Sequence, residues 1–139
     1  MIPGVTESVR LVTGPGDLVI EPRGRAGRGE IDALPAGSAV VLTDDRPGGR
    51  IRLRRKAARL GLQISREYIV LPSWRRPYFV VEDDPKTLAW LWTTMATVPP
   101  GVSRGSLLAE AAVRAGRRSR VLSVVGGVAP GRIVIASRR

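Results

Sequence analysis

ALPAGSAVVLTDDRPGGRIRLRRKAARLGLQISREYIVL, residues 33–71, carries the pattern on which the fold turns. Within it, residues 38–43 (SAVVLT) form an unbroken apolar run behind the turn-forming Leu34-Pro35-Ala36-Gly37. A half-exposed strand alternates, so such a run suits a strand covered on both faces, as in a parallel sheet. Residues 50–60 (RIRLRRKAARL) then change period. Leu53, Ala57 and Leu60 recur at i, i+4 and i+7, which is one face of a helix, and Gly61 stands where a helix closes. Residues 63–71 (QISREYIVL) alternate and turn apolar before Pro72, the pattern of a second strand. Strand, helix and strand in this order predict an α/β fold.

Beyond Pro72 the pattern continues. Residues 78–82 (YFVVE) read as a strand joined to the previous one by residues 72–77, which predicts an antiparallel pair. Asp84 followed by Pro85 is a helix start: a carboxylate cap, then a residue whose φ is already helical. The helix is expected to run to about Thr97, with Leu88, Leu91, Trp92 and Met95 on one face and Trp90 on another flank. A further helix is expected over residues 106–115. Residues 120–125 and 132–136 read as short strands split by Gly126-Gly127 and Pro130-Gly131. Toward the N-terminus, residues 8–13 and 17–21 read as two strands around a Gly14-Pro15-Gly16 turn. Residues 22–30 read as a flexible Gly/Arg-rich loop whose glycines lack the order of a dinucleotide-binding loop. The expectation is one α/β domain over residues 1–139: a small mixed sheet with an antiparallel strand pair, flanked by about three helices.

Composition narrows the chemistry. The chain has 139 residues and contains neither Cys nor His, which removes thiolate nucleophiles, imidazole bases, disulfides and the usual zinc ligands. No metal site and no cofactor is expected. Acid–base work would fall to the twelve carboxylates, two tyrosines, Lys56 or Lys86. The longest nearly uncharged run, residues 87–102, is shorter than the roughly 18–20 apolar residues of a membrane span. The N-terminus lacks a basic region ahead of an apolar stretch, so the expected location is cytoplasmic. A formal charge of +11 makes the surface attractive to anionic ligands, nucleic acid or an acidic protein partner.

Two segments concentrate that charge. Arg52, Arg55, Lys56 and Arg59 crowd the polar surface of the helix at residues 50–60, either as an anion-binding face or as an ordinary solvated one. Trp74, Arg75 and Arg76 combine an indole with guanidinium groups in an expected loop, suited to stacking on an anionic ring or to simple packing over the sheet edge. Two indoles two positions apart cannot share one helix face. Trp92 is therefore assigned to the core, and Trp90, with Met95, to an interface through which the chain could form homo- or hetero-oligomers. Glu82-Asp83-Asp84 and Asp44-Asp45 are carboxylate clusters, explained as well by capping and turn chemistry as by a ligand site.

Residues 16–81 resemble the second half of a class I S-adenosylmethionine-dependent methyltransferase. The matching positions are Leu34-Pro35-Ala36-Gly37 before a buried strand, Leu60-Gly61-Leu62 at a helix end, and residues 68–72 leading into an antiparallel closing pair. That family places a Gly-rich cofactor loop and an acidic ribose-binding residue ahead of this region, and neither is found here. The resemblance therefore implies a truncated or degenerate member without independent catalysis, acting as an accessory or partner-dependent component of a biosynthetic system. A basic interaction subunit and a nucleic-acid-binding module are the alternatives, the latter without any recognisable docking motif.

Overall fold

In the computed structural model, residues 3–22, 24–74, 76–95 and 119–138 are described. Among them are helices α1 (Pro3–Arg10), α2 (Arg28–Asp32), α3 (Gly49–Arg59), α4 (Pro85–Met95) and α5 (Ser119–Val128). The strands are β1 (Leu18–Ile20), β2 (Val40–Asp44), β3 (Leu62–Ser73), β4 (Arg76–Glu82) and β5 (Gly131–Arg138). The fold is α/β, built on one five-stranded mixed sheet in the order β1-β2-β5-β3-β4. Only β1 and β2 are parallel; β5 runs antiparallel to both of its neighbours, β2 and β3. Hence β2 is buried along its whole length, yet its second neighbour is antiparallel rather than parallel.

Side-chain alternation divides the sheet into two faces. On one, Ile20, Val40, Leu42, Val134 and Ala136 pack beneath Ile31 of α2 and Leu53 and Ala57 of α3. Farther along the same face, Ile69 meets Leu88 of α4 and Leu122 of α5. On the opposite face, Val41, Val70 and Ile133 pack with Val9 of α1 and with Trp74. Fully burying such an aliphatic side chain contributes about 1.5–3 kcal/mol, so the helix spacing of Leu53 and Ala57 locates α3 over the sheet.

Local signals explain several boundaries. Gly61 has φ +70 and follows the last turn of α3, whose closing carbonyls accept from the Leu60 and Gly61 N–H groups. Asp84 caps α4 as expected: its Oδ1 accepts from the N–H groups of Lys86 at 2.9 Å and Thr87 at 3.2 Å. The β3–β4 hairpin is tighter than expected, because Pro72 does not end its strand. It lies opposite Pro77 at a register shift, a place where neither missing N–H breaks a regular ladder.

Three expectations are corrected. Residues 8–13 are not a strand: Ser8, Val9 and Arg10 close α1. Strand alternation would bury Val9 with Leu11. Helical spacing brings Val9 near Val12 instead, and Leu11 is 75% exposed. Residues 120–125 likewise lie in α5, where Leu122 and Gly126 are buried at i and i+4. The Gly126-Gly127 pair sits inside that helix, and at position 126 only glycine fits, since a Cβ there would stand 2.6 Å from Asp83 Oδ1. Residues 28–30, read as part of the 22–30 loop, open α2. There the Gly27 N–H donates to Glu30 Oε2 at 3.0 Å, and Ile31 anchors the helix in the core. The helix expected over residues 106–115 lies outside the described residues.

Candidate functional site

The register sets Asp44 of β2, Arg132 of β5 and Ile69 of β3 in one row across the sheet, all on the face that bears α3. Ligands of α/β sheets gather beyond the carboxyl ends of the strands, so the Asp44 end of β2 is the place to seek one. Internal bonds occupy it. Asp44 Oδ2 accepts from Arg52 Nε at 2.7 Å, and Oδ1 accepts from the Arg46 N–H at 2.9 Å and from Arg52 Nη2 at 3.2 Å. Arg52 Nη2 also donates to the carbonyls of Arg46 and Pro47, holding the turn that leads into α3. Burial pushes the Asp44 carboxyl up, but the hydrogen bonds from Arg52 and Arg46 and their charges outweigh it and hold its pKa below the ordinary range. The same strand end accepts a third element: Trp74 Nε1 donates to the Asp44 carbonyl at 2.7 Å.

Beside this end runs a buried seam of charge. The Arg132 side chain is 1% exposed. Its Nη1 donates to Asp83 Oδ2 at 2.5 Å and to Glu67 Oε2 at 2.9 Å, and its Nη2 donates to the Gly126 carbonyl in the last turns of α5. Arg50 of α3 reaches the same Asp83 oxygen at 2.6 Å, while Arg54 binds Glu67 Oε1 at 2.6 Å. Burial again opposes ionisation of Asp83, and the bonds from Arg50 and Arg132 overcome it, leaving the carboxyl below its usual pKa. Three guanidinium groups and two carboxylates thus bridge the apolar cluster under α2 and α3 to the one under α4 and α5. No signal in the sequence marks Arg132 as buried, because its neighbours resemble those of a solvated arginine.

The residues predicted to bind anions separate into two sets. Arg52 is committed to Asp44. Lys56 Nζ donates to the Gly24 carbonyl at 2.7 Å, and burial lowers its pKa against the pull of Asp44. Arg55 and Arg59 stand exposed on the outer side of α3 with no hydrogen-bond or ion-pair partner among the described residues. Of the two readings of Trp74, packing over the sheet accords with its place: it is 3% exposed and its N–H donates to the Asp44 carbonyl. Arg75 lies outside the described residues, as do the side chains of Arg76 and Met95. Trp90 is 60% exposed, whereas Trp92 packs against the cluster under α4 and α5.

Two concavities are formed by described residues. A shallow groove of about 420 Å³ runs past Arg54, Arg66, Glu67, Glu82 and Asp84, with carboxylates and guanidinium groups mixed along it. A second cavity, of about 550 Å³, lies at the opposite end of the sheet, between the Leu34-Pro35-Ala36-Gly37 turn and Ser137-Arg138, where β2 begins rather than ends. Among the described residues, no three carboxylates come together in a way that could hold a metal ion. No helix there is long and apolar enough to cross a membrane. Compared with known proteins, the chain matches no family model, no curated protein and no solved structure.

Proposed function

We propose that this chain is a methyltransferase-like α/β unit that does not catalyse alone and serves as an accessory or partner-dependent component of a biosynthetic system. The observation that carries this reading is the path from the Leu34–Gly37 turn through β2, α3 and β3, with β5 inserted antiparallel between the two strands. That path accords with the residue order of the resemblance and with its antiparallel closure. Dependence on a partner follows from the filled end of β2: Asp44 is saturated by Arg52 and Arg46, and Trp74 closes on the Asp44 carbonyl. A nucleoside would have to displace all three.

Isothermal calorimetry with S-adenosylmethionine tests this. The chain alone should give no binding heat, and co-purification with the product of an adjacent open reading frame should restore it. Tight one-to-one binding by the chain alone would mean an independent enzyme; no binding in either state would remove the methyltransferase reading. A second reading, a basic subunit that meets an acidic protein partner, is favoured by one observation: Trp90 stands 60% exposed on a helix that contains no acidic residue.

A further inference from the structure

Six large apolar side chains are prominently exposed among the described residues, and four of them, Ile51, Trp90, Val124 and Val128, lie on α3, α4 and α5. These helices form one layer. The α5 helix packs against both α3 and α4, and Arg50 of α3 reaches Ser123 of α5, the residue before Val124. Val124 and Val128 are one helical turn apart, so they form a stripe. Trp90 lies opposite buried Leu88 and Leu91 on α4 and faces away from the sheet. Four of six prominently exposed apolar side chains on one helix layer suit a contact surface better than exposure spread over the molecule.

The charge around it selects the partner. None of the three helices contains an Asp or a Glu. Arg55 and Arg59 stand on the outer side of α3, the helix that presents Ile51. Glu67 and Asp83 are turned inward to Arg54, Arg50 and Arg132, and Asp84 is engaged by the Lys86 and Thr87 N–H groups that it caps. Along the described residues of α3, α4 and α5 the outer face is therefore apolar with cationic side chains beside it. A phosphodiester backbone would satisfy the rim but leave Trp90 and the two valines against water. An acidic segment with its own apolar stripe satisfies both.

From this we infer that the outer face of α3, α5 and α4 docks an acidic amphipathic protein segment, with Trp90 as the apolar anchor and Arg55 and Arg59 as the electrostatic rim. The inference deepens the acidic-partner reading and is independent of the methyltransferase one.

The test is fluorescence anisotropy of the full chain with labelled probes. One probe is a helical peptide with Leu at every third and fourth position and Glu elsewhere. The others are a Glu-only peptide of equal length and a single-stranded oligonucleotide. The Leu/Glu peptide should bind in the micromolar range and more tightly than either other probe. Trp90→Ala should weaken it roughly tenfold, the loss typical of a central aromatic anchor. Val124→Ser with Val128→Ser should act in the same direction, with the circular dichroism spectrum unchanged in each case. If the Leu/Glu peptide binds but none of these substitutions matters, the surface is wrong while the acidic-partner reading stands. Equal or tighter binding of the Glu-only peptide or the oligonucleotide, or no binding of any probe, overturns both. A homodimer that Trp90→Ala dissociates would place a second copy on this face and overturn the proposal.

Discussion

Arg132 of β5 and Asp83, just ahead of the Asp84 cap of α4, meet at 2.5 Å with side chains only 1% and 2% exposed. The pair joins the central antiparallel strand to the segment that leads into α4, and through the Gly126 carbonyl it also reaches the end of α5. Removing two charges from water costs several kcal/mol per ion, and this is repaid only where the partners are complete. Here Arg50 and Glu67 add partners on either side, while Asp83 Oδ1 and Arg132 Nε stay buried without one among the described residues.

Arg132→Met should therefore be more damaging than the loss of one ion pair suggests, because it leaves Asp83 and Glu67 buried with one cation fewer. The expected cost is about 3–5 kcal/mol in urea unfolding. Combining it with Asp83→Leu should cost less than the sum of the two single changes, which a double-mutant cycle would read directly.

Acid should unfold the protein through the same residues. Asp83 and Asp44 both have carboxyl groups held below the ordinary value in the folded state. Their stabilisation is complete above the unfolded carboxylate pKa of about 4 and is lost as the pH falls through the lower folded values. The urea midpoint should stay level between neutrality and about pH 5, then drop below about pH 4. The drop should shrink in an Asp83→Asn variant.

Gly131→Ala should destabilise the sheet centre. A Cβ at this position would lie 2.8 Å from the Cβ of Val70 and 2.9 Å from Trp74 Nε1, both in the packed core. Overpacking of this kind costs about 1–3 kcal/mol, measurable as a lowered thermal midpoint.

Trp74→Phe removes the donor that satisfies the Asp44 carbonyl while keeping most of the aromatic volume. The expected loss is about 1–3 kcal/mol, the cost of leaving a buried polar group unpaired. Anion affinity should not change, since the indole is not at the surface.

Arg52 and the pair Arg55 and Arg59 should respond in opposite ways. Arg52→Ala should lower stability and leave heparin affinity nearly intact, because its guanidinium is bound to Asp44 and two carbonyls. Replacing Arg55 and Arg59 with Ala should leave stability nearly intact and lower the salt concentration at which the protein elutes from heparin.

The amino-acid sequence by itself determined β2, α3, the start of β3 and the capped start of α4. Each is set by local chemistry: an unbroken apolar run, a helical recurrence closed by Gly61, an alternating segment, and Asp84 before Pro85. It also determined that Trp90 and Trp92 face different ways. The tertiary structure alone decided that residues 8–10 and 119–128 are helical, since short apolar runs satisfy both periods until something packs against them. The same holds for the fate of the charged residues. Arg52, Arg55, Lys56 and Arg59 look alike along the chain, yet Asp44 and the Gly24 carbonyl, brought close only by folding, claim two of them. Nothing local sets Arg132 apart from a solvated arginine; only with β5 placed between β2 and β3 do Glu67 and Asp83 come within its reach. Pairing between distant residues has no local signature, and for that reason sequence reasoning located α3 and the start of α4 but not which of the charges on α3 remain free to meet a partner.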